Sequence, residues 1–420
     1  MLRNYFKSSL RYLAKGKGFS FINIIGLSIG MAGSMLIILW LKNEIGFDRF
    51  HKNARQIYEV YGLTNNTDGH RNAIPVVPQP LGPTIAKDFP EIENAVRVKD
   101  IDRFLVTVGN KSVTGSQGSF VDPAFLKIFS FPLVSGNIDN QLRDINSITI
   151  TEKYAKKLFG DADPIGKTIK FDSSDYFTVT GVLKDLPSNT RFNFEYLVAW
   201  DYLRKLGEGY SNESWLSNNT ATYVLLKPNT RVTDLEGKIK NISRKYSGRP
   251  DIWTHFLVPL ERLHLYNQYE DGVSVGGRIE TVRVFAMIAA FILLIACINF
   301  MNLSTARSET RAKEVGVRKV AGAGKWELII QFYVEAFLPV CGASVFALAI
   351  SILALPFFNS LIGIQLEIPW TNPIFWIGLA GFILFTSILA GSYPALYLSS
   401  FKPVSIFKNQ YKKTQLTFNP

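Results

Sequence analysis

The sequence is poor in the residues that build disulfide-stabilised or metal-binding folds. Its two cysteines, Cys297 and Cys341, both lie in long apolar runs, so the polar stretch at residues 44–282 contains none. A disulfide framework is therefore excluded for that stretch, which must be stabilised by its own core. The four histidines show neither H-E-x-x-H nor close Cys/His spacing, and we predict no metal site.

Net charge is also absent from most of the chain. Residues 44–282 hold 29 Lys or Arg and 29 Asp or Glu, so the net charge of +12 comes entirely from the other residues. The basic excess is concentrated in residues 1–20, in residues 304–327 and after residue 398. Basic residues in short loops mark the cytoplasmic side of a membrane, so this pattern indicates topology. Nucleic acid is not a predicted partner.

Four long apolar runs interrupt the polar sequence. They cover residues 21–41, 284–303, 333–357 and 374–398. Each approaches or exceeds the roughly 20 residues that cross a bilayer. A chain in lipid must satisfy its own backbone hydrogen bonds, so we predict that all four runs are helical.

Together these features predict an α-helical membrane protein with four transmembrane helices. A large α/β (α+β) periplasmic domain, residues 44–282, is inserted between helices 1 and 2. The loop at residues 304–327 and the tail at residues 399–420 are predicted to be cytoplasmic. The first run is too long for a secretory signal and no small-x-small site follows Leu41, so we predict an uncleaved span. Residues 1–20 interleave apolar and basic side chains, which is typical of an amphipathic helix in the inner interface.

Strand-like and helix-like segments alternate within the polar insert. Runs rich in β-branched and aromatic residues predict strands, and apolar residues at helical spacing predict helices. The predicted strands are residues 147–151, 177–183, 194–199 and 222–226, with others beginning at Ala95 and Phe104; the predicted helices are residues 153–159, 232–246 and part of 75–90. Residues 104–203 are a candidate subdomain.

Gly26-Leu-Ser-Ile-Gly30 matches the G-x-S-x-G pattern of serine hydrolases. That pattern needs a strand-turn-helix setting open to water, whereas these residues lie in the middle of the first apolar run. Gly26, Gly30 and Gly33 would instead form a small-residue face that lets two membrane helices approach closely. We therefore predict helix packing here and no catalytic residue.

Gly322-Ala-Gly-Lys325 resembles part of a phosphate-binding loop. The Walker pattern needs a glycine at position 319 and Ser or Thr at position 326, where this chain has Lys319 and Trp326. The match fails, so we predict that the chain binds no nucleotide. Gly322 is predicted to end one helix before another begins.

The loop between the second and third spans is strongly charged. On a helix, Arg307, Arg311, Glu314 and Arg318 fall along one face, and Glu314 with Arg318 forms a supportive i, i+4 pair. One interpretation is a solvated loop that only fixes orientation. The other is a docking helix for a cytoplasmic partner.

Several segments resemble the FtsX/MacB-type ABC transporter permeases. The most specific is Arg311-Ala-Lys-Glu-Val-Gly-Val-Arg-Lys-Val-Ala-Gly-Ala323 after Asn302-Leu-Ser-Thr-Ala-Arg307, and Ala390-Gly-Ser-Tyr-Pro-Ala395 resembles the exit of the fourth span. In the insert, Tyr154-Ala-Lys-Lys-Leu-Phe-Gly160 and Thr180-Gly-Val-Leu-Lys-Asp-Leu-Pro187 are similar to the periplasmic domain of this group.

The resemblance implies a membrane permease subunit that is not itself an enzyme. Such a subunit sits in the bacterial inner membrane, forms a homo- or heterodimer and binds a separate cytoplasmic ABC ATPase, which would hold ATP and Mg. A periplasmic adaptor is a further expected partner. ATP-driven motion would reach the periplasmic domain by mechanotransmission and export a peptide, antibiotic or lipoprotein. The residues implied in ATPase coupling are Arg307, Arg311, Lys313, Glu314, Arg318 and Lys319.

Two alternatives remain at this level. An FtsX-like signalling scaffold would use the same motion to regulate a periplasmic enzyme and transport nothing. Relatives with similar insert motifs are often about twice as long, so the chain is also a candidate half of an eight-span permease. A membrane enzyme is the least favoured class, because no catalytic constellation appears outside the spans.

Overall fold

The computed structural model describes two compact units. The described residues are 17–65, 71–101, 104–109, 111–114, 116–171, 175–207, 213–305, 315–320, 322 and 324–400. The first unit, here called the membrane unit, comprises the described residues up to Lys42 and from Val282 onward. The second, here called the insert domain, is Asn43–Thr281.

Four helices are long and apolar enough to cross a membrane. They are α1 (Lys17–Ile45), α9 (Arg278–Thr305), α10 (Lys325–Ile362) and α11 (Pro373–Ser400). Each is longer than its predicted apolar run because polar residues at the ends continue the helix. The predicted fold class, four membrane helices with a large mixed α/β domain, is confirmed. The predicted amphipathic helix at residues 1–20 lies outside the described residues except for its last four, which belong to α1.

Small and apolar side chains hold the membrane unit together. Leu27 and Met31 of α1 pack with Leu293 and Cys297 of α9, and alanines of α10 and α11 complete the cluster. Because lipid is as apolar as these side chains, the association depends on close packing rather than on a hydrophobic driving force.

The predicted glycine face of α1 lies against α9. A Cβ atom at Gly30 would lie 2.3 Å from the Cβ of Ala296, so the two backbones approach too closely for any other residue. At Gly33 a Cβ would meet only Ile292, at an ordinary 3.8 Å. Gly30 is therefore the point of closest contact.

The insert domain is built on one mixed sheet of thirteen strands among its described residues. Their order is β13-β1-β12-β3-β6-β11-β8-β10-β9-β4-β5, with β2 paired to β1 and β7 to β10. The pairs β6/β11 and β8/β10 are parallel and the other pairs are antiparallel. The strands are β1 (Ile57–Asn65), β2 (Arg71–Ile74), β3 (Ile92–Ile101), β4 (Val106–Val108), β5 (Lys111–Val113), β6 (Gly118–Val121), β7 (Leu133–Gly136), β8 (Ser147–Thr151), β9 (Thr168–Phe171), β10 (Asp175–Leu183), β11 (Tyr196–Ala199), β12 (Ala221–Leu226) and β13 (Thr254–Pro259), with a separate hairpin β14 (Gln268–Glu270) and β15 (Val273–Gly276).

Short helices cover the sheet. They are α2 (Leu81–Asp88), α3 (Phe125–Ile128), α4 (Glu152–Phe159), α5 (Trp200–Lys205), α6 (Val232–Ile239), α7 (Ile242–Ser247) and α8 (Leu260–Leu263), with single 3-10 turns at Ala54–Gln56 and Ile138–Asn140.

The predicted strands at 147–151, 177–183, 194–199 and 222–226 coincide with β8, β10, β11 and β12 to within two residues. One predicted element is wrong: residues 232–246 form two helices, α6 and α7, separated at Lys240 and Asn241.

The sheet has one core on one face and two on the other. Tyr223 and Leu225 of β12 join the first core, whereas Val224 and Leu226 point to the opposite face. Successive side chains of β11 also point to opposite faces of the sheet. Leu197 and Ala199 join the first core, and Tyr196 and Val198 join a third cluster on the opposite face. That third cluster is made of residues from 101 to 206, so the candidate subdomain at 104–203 has its own core but shares the sheet with its flanks.

His51 is buried in an aromatic setting at the entry to the sheet. Its Nδ1 accepts a hydrogen bond from the Ser130 N–H at 3.1 Å, and Phe129 and Phe131 contact the ring edge-on. Burial lowers the pKa of His51 to about 4. The nearest carboxylate is Asp48, 4.0 Å from Nε2, and burial raises the pKa of that carboxyl group.

We expect His51 to make the stability of the insert domain depend on pH. The unfolded state binds a proton near pH 6.5 and the folded state only near pH 4. The stability contributed by neutral His51 is therefore present above pH 6.5 and is lost as the pH falls towards 4. We expect the free energy of unfolding to fall by about 2 kcal/mol between pH 7 and pH 5 from this residue. In chemical denaturation of the full chain in detergent, His51→Asn should reduce the loss between these pH values by about that amount. An unchanged loss would contradict the prediction.

Gly30→Ala should destabilise the packing of α1 on α9. Overpacking of this kind typically costs about 1–3 kcal/mol. Thermal unfolding of the full chain in detergent should show the loss. Gly33→Ala is the matched control, because its new methyl group meets only an ordinary contact; equal losses in both variants would contradict the prediction.

Candidate functional site

The residues predicted to couple to a partner fall in residues 304–327, here called the linking segment. Arg307, Arg311, Lys313 and Glu314 lie outside the described residues. Arg318 and Lys319 lie in a short helical stretch, residues 315–320. The site is therefore built from this stretch and from the start of α10.

One valine anchors the short helical stretch. Val315 is buried in a cluster with Leu328, Ile329 and Phe332 of α10 and with Ala395 of α11. Residues 315–320 are therefore packed against two membrane helices of their own unit, and this part of the linking segment is not a solvated loop. This packing fixes which face of residues 315–320 points outward.

Arg318 lies on the inward side of the stretch. Its guanidinium donates to Oε1 of Gln331, a buried residue of α10, and the Gln331 amide donates to Oε1 of Glu335 at 2.7 Å. The contact of Arg318 with a partner stays a prediction, and in the structure its guanidinium is bonded to α10. This bond helps to position residues 315–320 on α10.

Gly322 and Gly324 are the described residues between the short helical stretch and α10. The N–H of Gly322 donates to the carbonyl of Lys319 at 3.1 Å, and Gly322 has a φ of +95°, in the left-handed region that favours glycine. The N–H of Gly324 then donates to the carboxylate of Glu327 at 3.3 Å, which caps the start of α10. The Gly322–Lys325 sequence is thus a helix stop followed by a helix start.

The outward side of the stretch is apolar. Val317 and Val320 are 60% and 70% exposed, and Trp326 on the first turn of α10 is 75% exposed. Successive helical residues are about 100° apart, so Val317 and Val320 lie on the side opposite Val315. The sequence analysis did not predict this apolar face, because it considered only the charged residues of the segment. Two valines three residues apart in a basic segment were the pattern that could have indicated it.

The comparisons with known proteins place this geometry in a family. Residues 20–242 match the family model of the MacB-like periplasmic core domain, and residues 286–403 match that of the FtsX-like permease C-terminal region. The chain belongs to the MacB/FtsX-type family of ABC transporter permeases. The linking segment of this permease lies within the FtsX-like match.

Curated relatives are longer than this permease. It is 24% identical over 237 residues to the macrolide export ATP-binding/permease protein MacB of Neisseria meningitidis serogroup A, covering 56% of this chain and 34% of the relative. It is 25% identical over 306 residues to the pyoverdine export ATP-binding/permease protein PvdT of Pseudomonas savastanoi pv. phaseolicola, covering 69% of this chain and 42% of the relative. The chain thus spans between a third and a half of the relatives it matches, and corresponds to their permease part.

The solved structures to which the chain is similar include the periplasmic region of MacB from Actinobacillus actinomycetemcomitans. The TM-score is 0.38 at 18% identity, and the match covers 50% of this chain and 91% of that structure.

Removing the acceptor of Arg318 should loosen the linking segment. Hydrogen bonds to charged groups contribute about 1.5–3 kcal/mol, so Gln331→Leu should speed trypsin cleavage after Arg318 and Lys319 about tenfold in the detergent-solubilised full chain. Mass spectrometry of the fragments measures the rate. Ser351→Ala, which removes a side-chain hydrogen bond to Ala347 elsewhere in α10, should leave it unchanged. Equal rates in wild type and Gln331→Leu would contradict the positioning role of Arg318.

Proposed function

We propose that this chain is the permease subunit of an exporter-type ABC system of the bacterial inner membrane. A separate cytoplasmic ATPase docks on the linking segment, and its ATP cycle moves the insert domain in the periplasm. The observation that carries this proposal is the outward apolar face of Val317 and Val320, held in position by the buried Val315 and by Arg318.

The chemistry of the linking segment suits a protein partner. Stable interfaces combine an apolar centre with a polar rim. The valine face would supply the centre, and the basic residues Arg307, Arg311 and Lys313, together with Glu314, would supply the rim. Trp326, large and exposed, adds the kind of aromatic contact that interfaces favour.

The ATP chemistry belongs to the partner in this proposal. The Gly322–Lys325 sequence lacks the Walker residues and forms a helix stop and start. The relatives named as ATP-binding/permease proteins are matched only in part by this chain. ATP and Mg would therefore be bound by a separate ATPase, and two permease subunits, identical or different, would pair with two ATPase subunits.

Export is the favoured output. The relatives are named for export of a macrolide and of pyoverdine, and the cargo classes proposed for this chain are peptides, antibiotics and lipoproteins. A periplasmic adaptor would complete the route. Regulation of a periplasmic enzyme without transport is the alternative outcome.

The double variant Val317→Asp/Val320→Asp should lose its ATPase. Two charges in the centre of an apolar interface should lower co-purification of an ABC ATPase with the tagged full chain at least tenfold, measured by quantitative mass spectrometry from native membranes. Arg311→Glu should weaken co-purification less, because it places no charge in the apolar valine face.

The matched control makes the same change in the insert domain. Val273 and Val275 are also exposed valines, and Val273→Asp/Val275→Asp should leave the ATPase bound. Unchanged co-purification in the linking-segment variant would overturn the docking assignment. A bound ATPase together with a captured periplasmic enzyme, and no ATP-dependent export, would favour regulation over transport.

A further inference from the structure

Residues 363–372, here called the short link, connect α10 to α11 within the membrane unit. The short link follows the end of α10, whereas the linking segment precedes its start. Its sequence contains one charged residue, Glu367, and no lysine or arginine. The short link thus lacks the basic residues that characterise the linking segment, and its surface chemistry comes from aromatic and neutral polar side chains.

Hydrogen bonds to α10 give the short link a defined shape. The N–H of Gly363 donates to the Asn359 carbonyl at 2.9 Å, and Gly363 has a φ of +69°, the left-handed conformation that commonly ends a helix. The Asn359 side chain then binds both backbone groups of Leu366: its Nδ2 donates to the carbonyl at 3.0 Å, and its Oδ1 accepts from the N–H at 3.2 Å. Leu366 itself is buried. The short link is therefore held against the last turn of α10.

Three aromatic rings pack together where the short link enters α11. The ring centroids of Trp370 lie 5.9 Å from those of Phe375 and of Trp376, and the centroids of Phe375 and Trp376 lie 5.4 Å apart. The indole N–H of Trp376 donates to the Trp370 carbonyl at 2.9 Å. These three residues, here called the aromatic cluster, are thus fixed relative to one another, and the Trp376 ring needs no hydrogen-bond partner from outside the chain.

Apolar side chains around the aromatic cluster are open to the surroundings. Trp370 and Trp376 are 44% and 47% exposed, and Ile374 and Ile377 on the first turns of α11 are 70% and 71% exposed. Leu361 on the last turn of α10 is 73% exposed. An apolar surface of this kind marks a contact with a membrane or with another protein. Both helices are long and apolar enough to cross a bilayer, so lipid is the medium available to these side chains.

Polar side chains of the short link are exposed next to the same rings. Gln365, Glu367 and Thr371 are all exposed. A segment that exposes polar groups and tryptophan rings together suits neither bulk water nor the hydrocarbon core. It suits the boundary between them, where an indole ring lies at the level of the lipid headgroups and polar groups reach water.

We propose that the aromatic cluster anchors the short link in the lipid interface, with phospholipid at the boundary of headgroups and acyl chains as its partner. Burial of the rings provides the recognition, because residues 359–376 contain no basic residue that would attract anionic headgroups. The internal hydrogen bonds let the rings enter the interface in the arrangement they already have. The anchor fixes the level at which α10 and α11 cross the bilayer, and it requires neither an ATPase nor a cargo.

Fluorescence quenching by brominated lipid tests the anchor. The full chain is reconstituted in phosphatidylcholine vesicles, and its tryptophan emission is compared with that of Trp370→Phe/Trp376→Phe. Phenylalanine keeps an apolar ring at both positions, so the difference in emission between the two proteins reports the two tryptophans. Bromines close to the headgroups should quench this difference emission about threefold more strongly than bromines at the bilayer centre, and acrylamide in the water should quench it weakly.

Two controls accompany the measurement. The same subtraction with Trp215→Phe reports a tryptophan of the insert domain that stacks on Tyr246, and brominated lipid should not quench it. Adding phosphatidylglycerol should leave the quenching of the aromatic cluster unchanged, because residues 359–376 carry no basic charge. The single variants Trp370→Phe and Trp376→Phe repeat the comparison one ring at a time, so the result does not depend on the folding of the double variant.

The other possible surroundings of the aromatic cluster give different results. Quenching mainly by acrylamide would place the rings in water, and quenching mainly by central bromines would place them in the hydrocarbon core. Protection from both quenchers would place them against a second copy of the chain or another protein. Each of these results would overturn the lipid anchor, and a requirement for phosphatidylglycerol would overturn recognition by ring burial.

Discussion

Lipid offers no hydrogen-bond partner to a polypeptide, and the organisation of this chain follows from that constraint. Every backbone group in the bilayer must be satisfied within a helix, and a polar side chain there needs a partner on its own helix or on a neighbouring one. Ser34 of α1 donates to the Ala289 carbonyl of α9 at 2.9 Å, which provides such a partner. Backbones that approach closely enough for this contact leave no room for a side chain at Gly30.

The insert domain lies outside the bilayer, so it must bury its apolar side chains away from water. It contains no cysteine, so it does this without disulfide bonds. Its stability comes from three apolar cores on the two faces of one sheet. The Arg97 side chain lies on the face of the sheet that carries two of these cores. Its Nη2 is 2.7 Å from Oδ1 of Asp122, and its Cζ is 4.2 Å from the centre of the Trp200 ring. Buried charges in this domain are therefore paired, as the high free energy of an isolated buried charge requires.

Hydropathy alone was sufficient to predict the four long apolar helices and the large domain between the first two, because the thickness of a bilayer sets the length of a span. Strands with strong alternation, such as β8, could also be predicted. The break between α6 and α7 could not. Leu235, Ile239 and Ile242 keep helical spacing across it, but the Lys240 carbonyl accepts from the His255 N–H at 2.9 Å. A tertiary hydrogen bond takes the acceptor that a continuous helix would have used.

The sequence predicts where the candidate site lies along the chain but not which of its sides faces outward. The charges of the linking segment, residues 304–327, are the basis for the prediction that a partner binds there, and they suggested that Arg318 would point at it. The packing of Val315 determines which side of residues 315–320 faces outward. Val315 packs on side chains of α10 and α11, which the local sequence does not specify. Once Val315 is buried, Arg318 turns to Gln331 and the valines at 317 and 320 are left outside.

The exposed valine face of the linking segment suits a partner that binds and leaves. It can be covered and uncovered without leaving a charge unpaired, because Val317 and Val320 carry none. The ion pairs of Glu44 and Glu59 are instead buried within the insert domain. Breaking one buried pair typically costs about 3–5 kcal/mol, so these pairs hold residues 43–48 and β1 in one arrangement within that domain.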